Sequence, residues 1–191
     1  KDTLEFINNN NIQSLYYPSS GLVNIENRKD SEIYSIYKEQ KKKEEKQFTE
    51  LSNQYNFTLV ISRIFSMLGP ISSQQPKSNF ISLITQGIEL NKIIIESETD
   101  DTHSICFLDH LVNVVIDLLF DSKKGLQYFF DAVDVNISLK DFSLQVANSL
   151  NLEEKDIVEN FKSNQVARNY VGNDTQYKTF LNNNEFIKYE L

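Results

Sequence analysis

The segment from Asp30 to Pro70, DSEIYSIYKEQKKKEEKQFTELSNQYNFTLVISRIFSMLGP, constrains the chain more than any other. It opens as a long polar helix running to about Tyr55. Ser31 is placed to cap that helix, and Glu32 puts a negative charge in its first turn, where the helix dipole favours one. From Lys38 to Gln47 nearly every residue is charged or an amide. Such a run reads as a solvated face, with Lys41/Glu45 and Glu39/Lys43 as supporting i,i+4 pairs. After Asn56 the pattern changes to FTLVISRIF, which is β-rich and apolar, so a buried strand is expected over Thr58–Ser62. Gly69-Pro70 ends it.

The same alternation recurs along the chain. Thr3 to Asn10 reads as the end of a helix, and the Asn run that follows suits a cap and loop. Ile12 to Tyr17 is short and aromatic-rich and stops at Pro18, so a buried strand is expected there, followed by a Ser19-Ser20-Gly21 turn. A polar loop covers 71–78. Asn79 to Leu90 has helical periodicity, and Lys92 to Glu96 (KIIIE) is a strand. An acidic turn, a short strand at 104–108 and an apolar helix to Phe120, capped by Asp109, come next. Leu126 to Phe130 is a strand, and Ser138 caps a helix to about Leu150. The tail from Asn151 is polar and poorly patterned. Strands alternating with helices predict a layered α/β protein with a largely parallel sheet. Ligands in such sheets bind beyond the carboxyl ends of the strands, where Ser19-Ser20 and 65–69 both fall.

Composition removes several classes of function. A formal net charge of -8 argues against a nucleic-acid binder, which needs a basic face. The single cysteine, Cys106, excludes an internal disulfide and a cysteine-based metal cluster, and no metal site is expected. No apolar run reaches the roughly 18 residues of a membrane span. No secretory leader pattern occurs, and a cytoplasmic setting is the expectation. Three sequons, at Asn56, Asn136 and Asn173, are expected by chance in so Asn-rich a chain. The chain starts at Lys1 and its only methionine is Met67, so it is expected to be a piece of a longer protein.

Tyr and Lys four apart on a helix share a face. A neighbouring ammonium stabilises phenolate and lowers the phenol pKa from its usual value of about 10. A tyrosine so tuned can exchange a proton with a substrate hydroxyl. Two pairs fit this pattern, Tyr34/Lys38 and Tyr37/Lys41. Three linked features surround them: a strand ending in Ser19-Ser20, a helix with Tyr37-x-x-x-Lys41-x-x-x-Glu45, and a strand leading into Arg63-x-Phe65-x-x-x-Gly69-Pro70. In order and spacing they resemble the extended short-chain dehydrogenases, the nucleotide-sugar epimerases and dehydratases, over about residues 3–150. That resemblance selects Tyr37/Lys41 by its spacing from Arg63, with Tyr34/Lys38 as the alternative.

The resemblance implies the C-terminal part of a Rossmann-like, largely parallel sheet with helices on both faces, plus a small substrate-binding subdomain. Residues 1–70 would carry the Ser and Tyr-x-x-x-Lys elements, and 71–191 the subdomain and the remaining sheet elements. It implies NAD or NADP as cofactor and a nucleotide sugar as substrate, with a homodimer as a further expected partner. Tyr37 would be the acid/base and Lys41 its tuner and ribose contact, with Phe65 beside the cofactor. Ser20 would orient the substrate oxygen, while Lys92 and His103 would line the substrate pocket. The chain departs from the family pattern in four places. His103 replaces the arginine expected at the diphosphate, and a neutral histidine donates to phosphate only weakly; an ordinary strand-edge histidine is the competing reading. His110 replaces a second acid, and Asn24 replaces a tyrosine. No Gly-x-x-Gly-x-x-Gly loop occurs among the five scattered glycines, so the turn that cradles a pyrophosphate is not in this chain. Two other readings follow: a non-catalytic relative that kept the fold for binding or scaffolding, and an unrelated α/β interaction module, in which Tyr37 and Ser20 would lie far apart.

Overall fold

A computed structural model describes residues 6–7, 10–25, 32–70, 79–120, 125–162 and 169–183. Its organising unit is β1 (Ser14–Ser20), α1 (Glu32–Tyr55) and β2 (Thr58–Ile64), with β1 and β2 parallel. The chain later returns to the same sheet as β6 (Gln127–Ala132), parallel to β2, giving the order β1-β2-β6. β2 is central: Thr58 to Ser62 are buried, as the β-branched run demands. β1 is only half-buried over Ser14–Tyr17, because no strand among the described residues pairs with its outer edge.

That edge explains how β1 runs three residues past its expected end at Tyr17. The amide of Thr58 donates to the carbonyl of Gln13. By alternation, residues 15, 17 and 19 also turn their backbone groups toward β2, and Pro18 turns away. A proline, which has no N–H to give a ladder, is tolerated on an open edge. β2 likewise extends beyond Ser62 to Ile64.

Side-chain alternation sorts the sheet's two faces. Leu15, Tyr17, Leu59, Ile61 and Phe129 pack with Leu51 and Phe48 of α1. Tyr16, Val60, Ile64, Phe130 and Ala132 pack under α3 (Leu108–Leu119) and α5 (Thr175–Asn183). Helices on both faces of a parallel sheet are the arrangement expected. Smaller sheets complete the molecule. β3 (Ser66–Leu68) and β9 (Asn169–Tyr170) both pair in parallel with β5 (Thr102–Phe107), β7 (Val135–Ser138) pairs with β5 antiparallel, and β4 (Ile93–Ser97) pairs in parallel with β8 (Ile157–Phe161). With α2 (Asn79–Leu90) and α4 (Leu139–Ser149) they enclose a second apolar core around Phe80, Ile93, Ile95, Ile105 and Phe142.

Local chemistry fixes the boundaries. Asn11, Asn56, Asn91 and Asn151 all have positive φ, the left-handed conformation that asparagine tolerates best after glycine; Asn56, Asn91 and Asn151 follow α1, α2 and α4. Ser138 caps α4 as expected, accepting from the Asp141 amide at 3.1 Å. The Ser31 cap and the 71–78 loop fall outside the described residues. The Asp109 cap is overturned: α3 starts at Leu108, so Asp109 lies in its first turn, exposed. The acid at that helix start is Asp134, from the β6–β7 turn, which accepts from the Phe107 amide at 2.6 Å. The tail is better ordered than its polarity suggests, since it supplies β8, β9 and α5. Among the described residues no helix is long and apolar enough to cross a membrane.

Candidate functional site

The carboxyl ends of β1 and β2 carry Ser20 and Phe65, and α1 carries Tyr37 and Lys41. Ser20 is the last residue of β1 and is buried. Its hydroxyl accepts from the Leu22 amide at 3.3 Å, capping the short 3-10 turn Gly21–Asn24. Gly21 permits the next contact: a Cβ there would stand 2.3 Å from the ring of Phe65. Gly172 lies over the same ring, where a Cβ would come within 2.5 Å of it. Phe65 is therefore clamped between two glycine backbones, with Tyr170 edge-on at 5.1 Å.

Tyr37 and Lys41 sit one turn apart on α1, and Tyr37 is exposed. The Lys41 ammonium lies 5.8 Å from the centre of the Tyr37 ring and 4.7 Å from that of Tyr17. It donates to the Tyr17 hydroxyl at 2.9 Å and the Pro18 carbonyl at 3.4 Å, and pairs with Glu44 at 3.5 Å. The Tyr17 hydroxyl in turn donates to Glu44. Burial and the hydrogen-bonded Glu44 carboxylate both hold the Tyr17 phenol above its ordinary range. The Tyr17 hydrogen bond holds the Glu44 carboxyl below its own range. In the other candidate pair, the Lys38 ammonium donates to the Ile25 carbonyl, and Tyr34 is exposed.

One turn beyond Lys41, Glu45 leaves the expected solvated face altogether and is buried. Its i,i+4 partner is not Lys41. Instead Arg63 of β2 grips it with two bonds, at 2.9 and 2.7 Å, and Ser19 donates to it at 2.6 Å. Burial costs a carboxylate its hydration, and a bidentate guanidinium is the side chain suited to replace it. That pairing holds Arg63 above its ordinary value. Arg63 also donates to the Asn24 side-chain oxygen at 2.6 Å, and the Asn24 amide donates to both oxygens of Asp131, at 2.7 and 2.8 Å. Asp131, at the carboxyl end of β6, accepts as well from the Asn173 amide at 2.9 Å. One network thus ties α1, the ends of β1, β2 and β6, and the chain leading into α5. The Glu39/Lys43 pair is likewise replaced, by Lys42 with Glu39 at 3.2 Å.

The remaining expected residues fall elsewhere. His103 of β5 packs edge-on against Phe80 at 5.3 Å and Tyr170 at 5.8 Å, so Tyr170 bridges it to Phe65. Lys92 is exposed at the junction of α2 and β4. His110 bonds Asp134 at 2.7 Å through Nδ1. Tyr17, Glu44, Asn24, Asp131 and Tyr170 were not anticipated as site residues. Tyr17 carried one readable sign: in a β1 that buries Tyr16 on one face, its neighbour must face α1.

No protein-family model and no curated protein sequence matches the chain. Solved structures match its fold. The UDP-glucuronic acid 4-epimerase of Bacillus cereus, solved with NAD and a fluorinated UDP-glucuronic acid, superposes with a TM-score of 0.72 over 98% of this chain at 17% identity. The dTDP-glucose 4,6-dehydratase of Bacillus anthracis, solved with NAD, gives 0.70 over 94% at 16% identity. The UDP-N-acetylglucosamine 4-epimerase of Methanobrevibacter ruminantium, solved with UDP-N-acetylmuramic acid, gives 0.69 over 94% at 14% identity. The chain spans 59–61% of the length of these three proteins. Its fold is the Rossmann-like α/β fold of nucleotide-sugar epimerases and dehydratases, as the resemblance implies.

Proposed function

We propose that this chain is the proton-transfer and substrate-side part of an NAD(P)-dependent epimerase, dehydratase or reductase of nucleotide-activated sugars. The observation that carries the reading is the β1–α1–β2 unit. Ser20 stands at the carboxyl end of β1, and Lys41 reaches back from the Tyr37 turn of α1 to Tyr17 and Pro18 of that same strand end. The fold neighbours support it, because the first two carry NAD in their solved forms.

In this reading residues 1–70 hold the reactive groups, and 71–191 the substrate pocket with the returning sheet elements. Ser20 donates to the sugar oxygen that reacts and fixes its direction. Tyr37 takes the proton of that hydroxyl or returns it, and the positive charge of Lys41 stabilises the phenolate while this happens. Lys92 and His103 face the nucleotide end, and Phe65 stiffens the floor between strand ends. The dinucleotide, when bound, supplies the hydride acceptor. Tyr37 and Lys41 of α1 would hold its nicotinamide ribose; this sequence has no glycine loop for its pyrophosphate. A cytoplasmic setting accords with this reading.

The competing reading is a non-catalytic relative that retains the fold for binding or scaffolding. It is favoured by one observation, that half-buried Phe65 is packed against Gly21, Gly172 and Tyr170 rather than left free for a cofactor. Calorimetric titration of the intact protein with NAD and NADP, followed by turnover assays on UDP- and dTDP-hexoses, separates the two. The enzyme reading expects dinucleotide binding and a loss of turnover of about a hundredfold or more in Tyr37→Phe. Absence of dinucleotide binding, or full turnover in Tyr37→Phe, overturns it.

A further inference from the structure

Lys41 has three ammonium protons, and three acceptors already surround it: the Tyr17 hydroxyl at 2.9 Å, the Pro18 carbonyl at 3.4 Å and Glu44 at 3.5 Å. Both of its hydrogen bonds go to β1 and its ion pair to Glu44, and neither bond goes to Tyr37. The shortest of the three bonds goes to Tyr17. The Tyr17 hydroxyl donates its own proton to Glu44, so a lone pair is left facing the ammonium. Its ring is held in turn by Phe48, with ring centres 4.7 Å apart, and the ammonium lies over the same ring at 4.7 Å. The Tyr37 ring is farther, at 5.8 Å, and exposed.

We infer that Tyr17 is a positioning residue that parks Lys41 on β1, with Glu44 orienting the Tyr17 hydroxyl, so that Tyr37 is activated only when a ligand draws the ammonium off. The inference deepens the reading above and rests on it for the roles of Tyr37 and Lys41. The bond that must be exchanged is the one to Tyr17; the contacts to Pro18 and Glu44 are longer, at 3.4 and 3.5 Å, and give way with it. Handing over Lys41 then swings its charge toward Tyr37 without moving the helix, whose next turn is anchored by Glu45 to Arg63. The charged and titratable groups in contact with Lys41 are Tyr37 and Glu44 from α1 and Tyr17 from β1; Glu45, one turn on, is held by Arg63 of β2. A charge-neutral change at Tyr17 leaves all the others in place.

The test is the titration of Tyr37, followed by NMR on protein labelled with carbon-13 at the tyrosine ring carbon bearing the hydroxyl. Tyr17→Phe removes the parking hydroxyl and should lower the Tyr37 midpoint by about one unit, the size expected when an ammonium gains access to an ionisable partner. In Tyr17→Phe/Lys41→Met that drop should vanish, which assigns it to Lys41 rather than to a general loosening. Lys41→Met alone should shift the Tyr17 resonance, and this arm stands even where Tyr17→Phe fails to fold. An unmoved Tyr37 midpoint in Tyr17→Phe, a drop that persists in the double variant, or a Tyr17 resonance that does not move in Lys41→Met alone overturns the inference. Dinucleotide binding is a separate readout. The parked lysine can fail while the protein binds NAD, and can hold while it does not.

Discussion

The two faces of the β1-β2-β6 sheet come from the same three strands yet solve opposite problems. On the α1 face Tyr17, Ser19 and Arg63 meet carboxylates of α1, and the buried polar atoms of Ser19, Glu45 and Asp131 have partners. On the opposite face Tyr16 bonds Ser62 at 2.7 Å, and otherwise the strands meet Val114, Leu111, Cys106 and Tyr177. There the Tyr177 hydroxyl, fully buried, has no hydrogen-bond partner among the described residues. The contrast is instructive because period-two alternation alone decides which residue faces which side. Odd positions near the strand ends supply Tyr17, Ser19, Arg63 and Asp131, joined by Ser20 at the end of β1, while even positions such as Val60, Phe130 and Ala132 build the oily layer against α3 and α5.

The strongest way to break the polar face is Glu45→Ala. It strands the Arg63 guanidinium and the Ser19 hydroxyl together, and removing one partner of a buried pair is far more costly than losing a surface pair. Urea unfolding should show a loss of about 3 kcal/mol. The comparison residue on the same helix is Glu50, paired with Lys46 at 3.9 Å in the open, where Glu50→Ala should leave the midpoint essentially unmoved. A smaller break comes from Gly172→Ala. Its Cβ would press into the Phe65 ring and the Asp131 side chain, so about 1–3 kcal/mol of overpacking is expected. Phe65→Leu placed in the same background should recover part of that loss in thermal unfolding, because the clash is with the ring.

What could be read in the sequence follows the same divide between local and distant causes. α1, β2 and the Ser138 cap were legible because their signals lie within a few residues: a charged run, a β-branched run, and a hydroxyl three residues before its amide. The burial of Glu45 was not, because its partner Arg63 is 18 residues away and a charge inside a charged run looks solvated. The acid at the start of α3 was misplaced for a like reason, Asp134 being 27 residues beyond the amide it accepts from. Pro18 read as a strand end because an open edge, the one place that tolerates it, cannot be seen along one chain. The tail hid β8, β9 and α5, because few apolar residues are needed once a core exists to receive them: α5 docks through Tyr177, Phe180 and Leu181. For the site, the resemblance pointed to Ser20, Tyr37 and Lys41, while nothing local announced that Tyr17 would take the lysine.

The apolar face should reveal itself in alkali. Burial pushes the Cys106 thiol up to about 12 and raises the Tyr177 phenol as well. Both groups are acids that stay protonated in the folded protein and ionise once unfolded, so the unfolded state binds fewer protons as pH rises. Their contribution is whole below the ordinary thiol range near 9 and is lost progressively above it. Urea midpoints should therefore be flat up to about pH 8 and fall through pH 9–11. In Cys106→Ala that fall should be shallower at its lower end, where the thiol titrates first. Native-state thiol titration with an aromatic disulfide should also find Cys106 unreactive until the protein is unfolded.

The smallest expected change sharpens the comparison best. Tyr177→Phe removes a hydroxyl that is fully buried and has no partner among the described residues, leaving the ring that stacks on Phe130 at 5.6 Å in place. On the polar face, deleting a hydroxyl such as Ser19's exposes a buried carboxylate to an unmet bond and should cost about 1–3 kcal/mol. At Tyr177 the desolvation cost of the hydroxyl is carried with no hydrogen bond to offset it, so its removal should leave stability unchanged or raise it by up to about 1 kcal/mol. A calorimetric Tm that rises or stays level in Tyr177→Phe and drops in Ser19→Ala fits this division of the sheet. A clear drop in Tyr177→Phe would show that the hydroxyl has a partner, such as a buried water bridging it toward Asp134, and that the oily face contains a polar site of its own.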